Sequence, residues 1–302
     1  MSGRARIGAW WFSPAPPDRL AALRILVGTF AVIYVIVMGP ELSRIARLPA
    51  SQFAPVGVVR LLGAPLAPWL ALAIVLATVL LLVGFAAGIR YRISAPLAAT
   101  ALLWTLSYRS SWGMIFHTEN LLVLHVGALA CMPAADAWAV DQRAAPDPAG
   151  YGWAIRLLAV ITVSTYVVAG VAKLRLGGWA WLDGDQLRHQ IAFDNLRKAV
   201  LGDATAPFAT SFLQHPSLCT AVSVLTLIVE LGAPIALFGG RVAAVWIAAA
   251  WGFHVGVVLV MNIWFPYPLF GLAYLPLVPV ERLFQAAARK ARDRRHMGMD
   301  RP

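Results

Sequence analysis

The residues of this sequence with the clearest capacity for chemistry are ionisable side chains within or beside long apolar segments. Lys173, His117 and His254 each belong to a different apolar segment. A charged side chain at mid-bilayer costs about 2.5–3.5 kcal/mol on insertion scales, so it needs a partner or a function. A lysine held in an apolar cup can lose its proton and act as a base. Spacing alone, however, favours the alternative, an interfacial lysine that points into water.

A polar cluster opens the apolar segment that begins near residue 115. His117, Glu119 and Asn120 stand at this opening, and Trp112 comes just before them. They could form a hydrogen-bonded helix entrance or the mouth of an external pocket. His254 lies about eight residues, or ~12 Å, below the same external face, and a satisfied buried histidine is the alternative there.

Because His117, Lys173 and His254 come from three segments and share the external half, we expect them to line one cavity. The two histidines have no acidic or thiolate ligand at a suitable spacing, so the sequence predicts no metal site.

Two further charges lie inside apolar segments. Arg24 is about four residues into the first segment, and Glu230 is about eight residues from the cytoplasmic end of another. These depths are ~6 Å and ~12 Å from one face, a difference that an arginine side chain can span. The sequence therefore predicts a structural Arg24–Glu230 ion pair. Snorkelling of Arg24 to the interface is the alternative.

The elements that must position these residues are membrane helices. Of 302 residues, 60% are apolar and 13% are charged, and the mean hydropathy is +0.72. Such a chain could not cover a soluble fold with polar groups. The net charge is +11, and its basic excess collects in residues 1–19 and 281–302. This pattern predicts cytoplasmic termini and an even number of spans. The basic tail fits anionic lipid, so lipid is expected as a partner and nucleic acid is not.

We predict an all-α polytopic membrane helical bundle of about eight transmembrane helices. Residues 1–19 form a cytoplasmic segment, 20–280 the transmembrane domain, and 281–302 a basic cytoplasmic tail. A span needs roughly 20 apolar residues. The predicted spans are 20–39, 67–88, 94–108, 115–134, 152–172, 216–239, 242–262 and 265–280. Spans 94–108 and 265–280 could instead be re-entrant. A polar segment between spans five and six contains a short amphipathic helix near 184–200.

Several motifs resemble those of vitamin K-dependent γ-glutamyl carboxylases, in the same order along the chain. They include YVVAGVAKL (166–174) with Trp179, and FHVGVVLVMNIWFPY (253–267). Arg90–Ser94, Ser111-Trp112 with His117, and Trp138–Asp141 also fit. The chain is similar to the HTTM (horizontally transferred transmembrane) domain, the bacterial relative of the carboxylase membrane region, over about residues 18–280.

This resemblance implies a quinol-coupled oxidation or carboxylation in the external half of the membrane. Lys173 matches the lysine that deprotonates reduced vitamin K, and His117 matches an assisting histidine. His254, Trp112, Glu119, Asn120 and Trp179 would line the substrate or quinone pocket. A reduced quinone is the expected cofactor, and the plasma membrane is the expected location.

The chain also departs from the carboxylases, because it ends soon after the last predicted span and has no large substrate-binding portion. Carboxylation would therefore need a separate substrate-binding protein. Two alternatives remain open. One is a non-enzymatic membrane partner for maturation of, or immunity to, a secreted peptide. The other is a DoxX-like quinone- or lipid-binding membrane subunit.

Overall fold

The computed structural model describes residues 3–115, 117–142 and 150–286, and all regular elements in these ranges are helices. The prediction of an all-α chain is confirmed. The chain divides into two compact units. Unit 1 comprises residues 1–158 and 278–302, and unit 2 comprises residues 159–277. The residues of the predicted basic tail beyond 286 lie outside the described part of the chain.

In its described residues, unit 1 contains five complete helices, the beginning of a sixth and a helical segment over residues 281–286. The first six are α1 (Gly3–Trp11), α2 (Pro17–Ile45), α3 (Pro68–Ala87), α4 (Tyr91–Ser110), α5 (Asn120–Ala130) and α6 (Gly152–Gly177). Short 3-10 turns cover Ala50–Gln52, Gly57–Leu61 and His117–Glu119. Helices α2 and α3 begin at proline, whose missing N–H is not needed in the first turn. Helix α3 ends at Gly88, which has a left-handed φ of 72°. A Cβ there would lie 2.5 Å from that of Ala139, so only glycine permits this chain crossing.

Unit 2 contains the remainder of α6 and five further helices. They are α7 (Asp185–Val200), α8 (Ala209–Leu213), α9 (Pro216–Leu231), α10 (Gly240–Met261) and α11 (Pro266–Leu269). Short 3-10 turns cover Gly178–Trp181, Ala233–Phe238 and Leu272–Leu277.

Helix α7 is the short amphipathic helix predicted near residues 184–200. Its Ile191 is fully buried. The Asn195 side chain donates to the Val260 carbonyl at 3.0 Å and accepts from the Ala206 N–H at 2.7 Å. This hydrogen bond to Val260 holds α7 against the end of α10, although the composition of α7 is polar.

Four helical segments in the described ranges are long and apolar enough to cross a membrane. They are Pro17–Ile45, Pro68–Ala87, Gly152–Trp181 and Gly240–Met261, and Pro216–Leu231 is a shorter apolar helix. In its described residues, the predicted span 115–134 contains the 3-10 turn His117–Glu119 and the 11-residue α5 in place of one long helix. The predicted span 265–280 forms α11 and a 3-10 turn instead of one long helix, because several prolines interrupt it. The count of eight spans and the cytoplasmic position of both termini therefore remain predictions.

Candidate functional site

Lys173 and Glu230 form an ion pair in unit 2. The Lys173 ammonium on α6 donates to Oε1 of Glu230, near the end of α9. The Glu230 side chain is 3% exposed and that of Lys173 is 21% exposed, so the pair lies at the edge of the protein interior. The Lys173 Nζ atom also lies 5.5 Å from the ring centroid of Trp181, whose π face favours a cation. Lys173 therefore has a carboxylate on one side and an aromatic ring close by.

Gly170 explains why α9 comes so close to α6 at this point. A Cβ built on Gly170 would lie 2.9 Å from Cδ2 of Leu231 and 3.1 Å from Cβ of Glu230. These separations are shorter than ordinary van der Waals contacts, so a larger side chain would push α9 away. Gly170 and Lys173 are three residues apart and share a helix face. The glycine thus makes the space in which the carboxylate reaches the lysine.

Three polar side chains are joined by hydrogen bonds, and one of them lies on α6 before Lys173. The Tyr166 hydroxyl is 2.9 Å from Nε2 of His254 on α10 and 2.9 Å from the Tyr274 hydroxyl. Tyr166 precedes Lys173 by seven residues, which is about two helical turns or ~10.5 Å along the axis. Trp246 packs edge-on against Tyr166 at 5.0 Å between ring centroids and donates to the Val229 carbonyl at 2.9 Å. These contacts connect α6, α9 and α10 around one polar core.

Two buried polar atoms of this core have no hydrogen-bond partner among the described residues. They are Oε2 of Glu230 and Nδ1 of His254. A buried donor or acceptor left unsatisfied costs about 1–3 kcal/mol. Atoms of this kind are available to bind a polar group of a ligand, so both mark unit 2 as a candidate site.

An apolar groove of about 560 Å³ is lined by residues of α6, of α9 and of the segment between α6 and α7, and neither Lys173 nor Glu230 is among its lining residues. Its lining includes Leu174 and Leu231, the chain neighbours of Lys173 and Glu230. Trp179, predicted as a pocket residue, also lines it and is 82% exposed. The groove therefore offers an apolar surface suited to a ring or a hydrocarbon chain.

The remaining predicted pocket residues lie in unit 1, where Glu119 is the centre of a buried polar network. Oε1 of Glu119 accepts from the Tyr34 hydroxyl at 2.6 Å and from Arg109. Arg109 in turn forms a two-pronged contact with Glu41 at 3.0 and 3.1 Å. Glu119 is 4% exposed, and its Oε2 has no partner among the described residues.

The neighbours of Glu119 have different environments. His117 and Asn120 are both exposed, at the 3-10 turn and at the first residue of α5. Trp112 is half-buried between Phe53 and Tyr108, with ring centroids 5.1 and 5.9 Å away. Asn120 and Glu119 line a cavity of about 660 Å³, whereas Trp112 belongs to an aromatic cluster. That these residues form an external pocket mouth stays a prediction.

The structure assigns other partners to Arg24 and Glu230 in place of the predicted ion pair. Arg24 is fully buried and donates to four backbone carbonyls, those of Ala86, Ala134, Ala137 and Trp138. Its acceptors are backbone oxygens within unit 1. Glu230 instead pairs with Lys173. Depth along a helix gave no information on which way either side chain faces.

Sequence reasoning missed several members of both networks. Tyr166 and Tyr274 belong to the polar core with His254, Trp181 lies near the lysine, and Tyr34 and Arg109 contact Glu119. The spacing of seven residues between Tyr166 and Lys173 is the signal that could have identified that tyrosine. Arg109 was not predicted as a site residue, because the predicted span ended at residue 108.

Comparison with known proteins identifies the family. The HTTM domain matches residues 12–279, which is most of the chain. No curated protein and no solved structure matches it. The apolar helices and this match together describe a multi-pass membrane protein. The chain therefore belongs to the HTTM domain family.

Proposed function

We propose that this protein is an enzyme that performs a quinol-coupled oxidation or carboxylation, with Lys173 as the base. The observation that carries the proposal is the Lys173–Glu230 ion pair, whose chain neighbours Leu174 and Leu231 line an apolar groove. The pair supplies a proton acceptor one residue along the chain from a surface that suits an apolar ring. Apolar pockets with few, well-placed polar groups are typical of small-molecule sites.

The residues present fit a quinol. The groove lining would hold the ring and its chain through Trp179 and Leu174. The unpartnered Oε2 of Glu230 could accept from a ring hydroxyl. A bound quinol supplies an acidic hydroxyl and, on reaction with O₂, the driving force for the oxidation or carboxylation.

Glu230 allows Lys173 to act as a base although the two are ion-paired. In the proposed step, the ammonium proton of Lys173 first passes to the Glu230 carboxylate along the hydrogen bond between them. With the proton on Glu230, Nζ has a free lone pair and can take a proton from a substrate hydroxyl. The cation that results lies 5.5 Å from the Trp181 ring, which stabilises it.

The test is turnover by the purified protein with reduced naphthoquinone and O₂, followed as epoxide formation. Lys173→Ala should lower the rate by about 10²–10⁴-fold, the usual contribution of a general base. Arg175→Ala is the matched control, because Arg175 is exposed on the same helix end. Equal rates in wild type and Lys173→Ala, with both proteins folded, would refute the role of the lysine.

The same preparation separates the other candidate functions. Quinone binding without turnover would favour a DoxX-like binding subunit. Neither binding nor turnover, with a secreted peptide or substrate-binding protein co-purifying, would favour the maturation or immunity partner. The assisting role of His117, in unit 1, stays a prediction from the resemblance and is tested by His117→Ala in this assay.

We also propose that the protein resides in the plasma membrane with eight crossings and both termini in the cytoplasm. The basic residues at the two ends of the sequence support this orientation. Cysteine accessibility from each side of intact cells, with single cysteines at Ser13 and Gln285, would test it. Labelling of either position from outside would overturn the proposed orientation.

A further inference from the structure

The cavity beside Glu119 in unit 1 has a polar end and an apolar end. Ser107 and Ser110, near the end of α4, lie with Asn120 at the start of α5, so the polar residues gather near the connection between the two helices. Leu103 and Leu124, further along α4 and α5, supply apolar lining. An occupant with a polar head and a hydrocarbon chain matches this arrangement.

Glu119, which lines the polar end, belongs to a network of two carboxylates and one guanidinium among the described residues. In this network Arg109 pairs with both Glu41 and Glu119. Oε2 of Glu119 is buried and has no hydrogen-bond donor among the described residues. A cationic donor is the group that would satisfy both the charge and the oxygen.

An exposed arginine also lines the same cavity. Arg60, on the 3-10 turn Gly57–Leu61, lines the cavity and is exposed. It forms no ion pair within the described ranges. An anionic group of the occupant would lie beside it, because arginine favours phosphate.

We propose that this cavity binds a membrane lipid with a phosphoethanolamine headgroup. The primary ammonium donates to Oε2 of Glu119, with the Asn120 side-chain oxygen as a second acceptor. The phosphate lies against Arg60, and an acyl chain follows the apolar lining formed by Leu103 and Leu124. The cavity volume of about 660 Å³ is in the range of small-molecule sites. This site is independent of the quinol proposal, since all of its residues belong to unit 1.

The headgroup preference of the wild-type protein is the first test. Native mass spectrometry of the detergent-purified protein would compare phosphatidylethanolamine, phosphatidylcholine and phosphatidylglycerol with identical acyl chains. The choline ammonium has no N–H to donate and the glycerol headgroup has no cation. We expect the ethanolamine lipid to bind about tenfold or more tightly than either. Equal binding of the ethanolamine and choline lipids would overturn the proposal.

Variants identify the site. Arg60→Gln and Glu119→Gln should each lower the affinity for the ethanolamine lipid by about tenfold or more. Arg47→Gln, at another exposed arginine outside the cavity, should leave it unchanged. If Glu119→Gln does not fold, Arg60→Gln still tests the proposal, because Arg60 is exposed. Unchanged affinity of Arg60→Gln for the ethanolamine lipid would overturn the proposal.

A soluble competitor separates the lipid from its headgroup. Glycerophosphoethanolamine shares the ammonium and phosphate but has no acyl chain, so it should bind far more weakly than the lipid. Displacement of the lipid at equal concentration would show that a free headgroup is the ligand, and would overturn the proposed lipid occupant.

Discussion

Replacing Glu230 by glutamine removes the charge that faces Lys173 while keeping the shape of the side chain. The two residues form the ion pair of unit 2, and Glu230 is almost completely buried. In the variant the ammonium would retain the nearby Trp181 ring but lose its counter-ion. The variant therefore measures how much the pair contributes to the stability of the protein.

The magnitude follows from the burial of the two partners. Removing one partner from a fully buried pair costs about 3–5 kcal/mol, because the other charge is left uncompensated. Lys173 is 21% exposed, so its ammonium can reach polar surroundings in the variant. We therefore expect Glu230→Gln to lower the free energy of unfolding by about 1–3 kcal/mol. Lys173→Met should cost a similar amount, since it leaves the buried carboxylate unpaired.

A double-mutant cycle isolates the interaction of the pair. Unfolding of wild type, Glu230→Gln, Lys173→Met and the double variant would be followed in mixed micelles. We expect the double variant to lose much less than the sum of the single losses, with a coupling energy of about 1–3 kcal/mol. The same cycle with exposed Arg175→Met should be additive within ~0.5 kcal/mol. Additive losses for Lys173 and Glu230 would refute the ion pair.

Three further predictions concern packing, pH and the polar core. Gly170→Leu should lower the free energy of unfolding by about 1–3 kcal/mol through overpacking against α9. Gly252→Ala should not lower the free energy of unfolding, because an added Cβ there meets nothing within 4 Å. Equal losses of stability in the two variants, measured by thermal unfolding, would contradict this reasoning. Burial alone raises the pKa of the Glu281 carboxyl, but the hydrogen bonds and charge of Arg19 outweigh it, so that pKa lies below its usual range. Its stabilising effect should be present at neutral pH and disappear as the pH falls through the lowered pKa. The difference in melting temperature between wild type and Glu281→Gln should shrink accordingly, and a pH-independent difference would exclude this linkage. Tyr166→Phe removes a hydroxyl with two hydrogen bonds of 2.9 Å and should cost about 1–3 kcal/mol in unfolding measurements, whereas unchanged stability would show that these bonds contribute nothing.

The sequence was informative about composition and position along the chain. The apolar blocks predicted an all-α membrane protein, and the motif around Lys173 predicted the family that the comparison confirmed. Periodicity was less informative where prolines interrupt an apolar block, as in residues 265–280. That segment has the composition of a span but forms two short helical pieces.

Pairing between segments could not be predicted in the same way. Arg24 and Glu230 were paired because their depths appeared compatible, but depth does not fix the rotation of a helix about its axis. The rotation of α9 against α6 depends on the contact that Gly170 permits with Leu231. This information was present in the sequence only as a small residue three positions before a lysine.

The four carbonyls around Arg24 have a consequence for biogenesis. The acceptors are made 62 to 114 residues after the arginine itself. During synthesis from the N-terminus, helix α2 therefore meets the membrane with a guanidinium whose acceptors have not yet been translated. Until the chain reaches Trp138, that charge must remain hydrated or contact the insertion machinery. Folding of unit 1 is thus coupled to the synthesis of a later segment, and α2 cannot reach its final position independently.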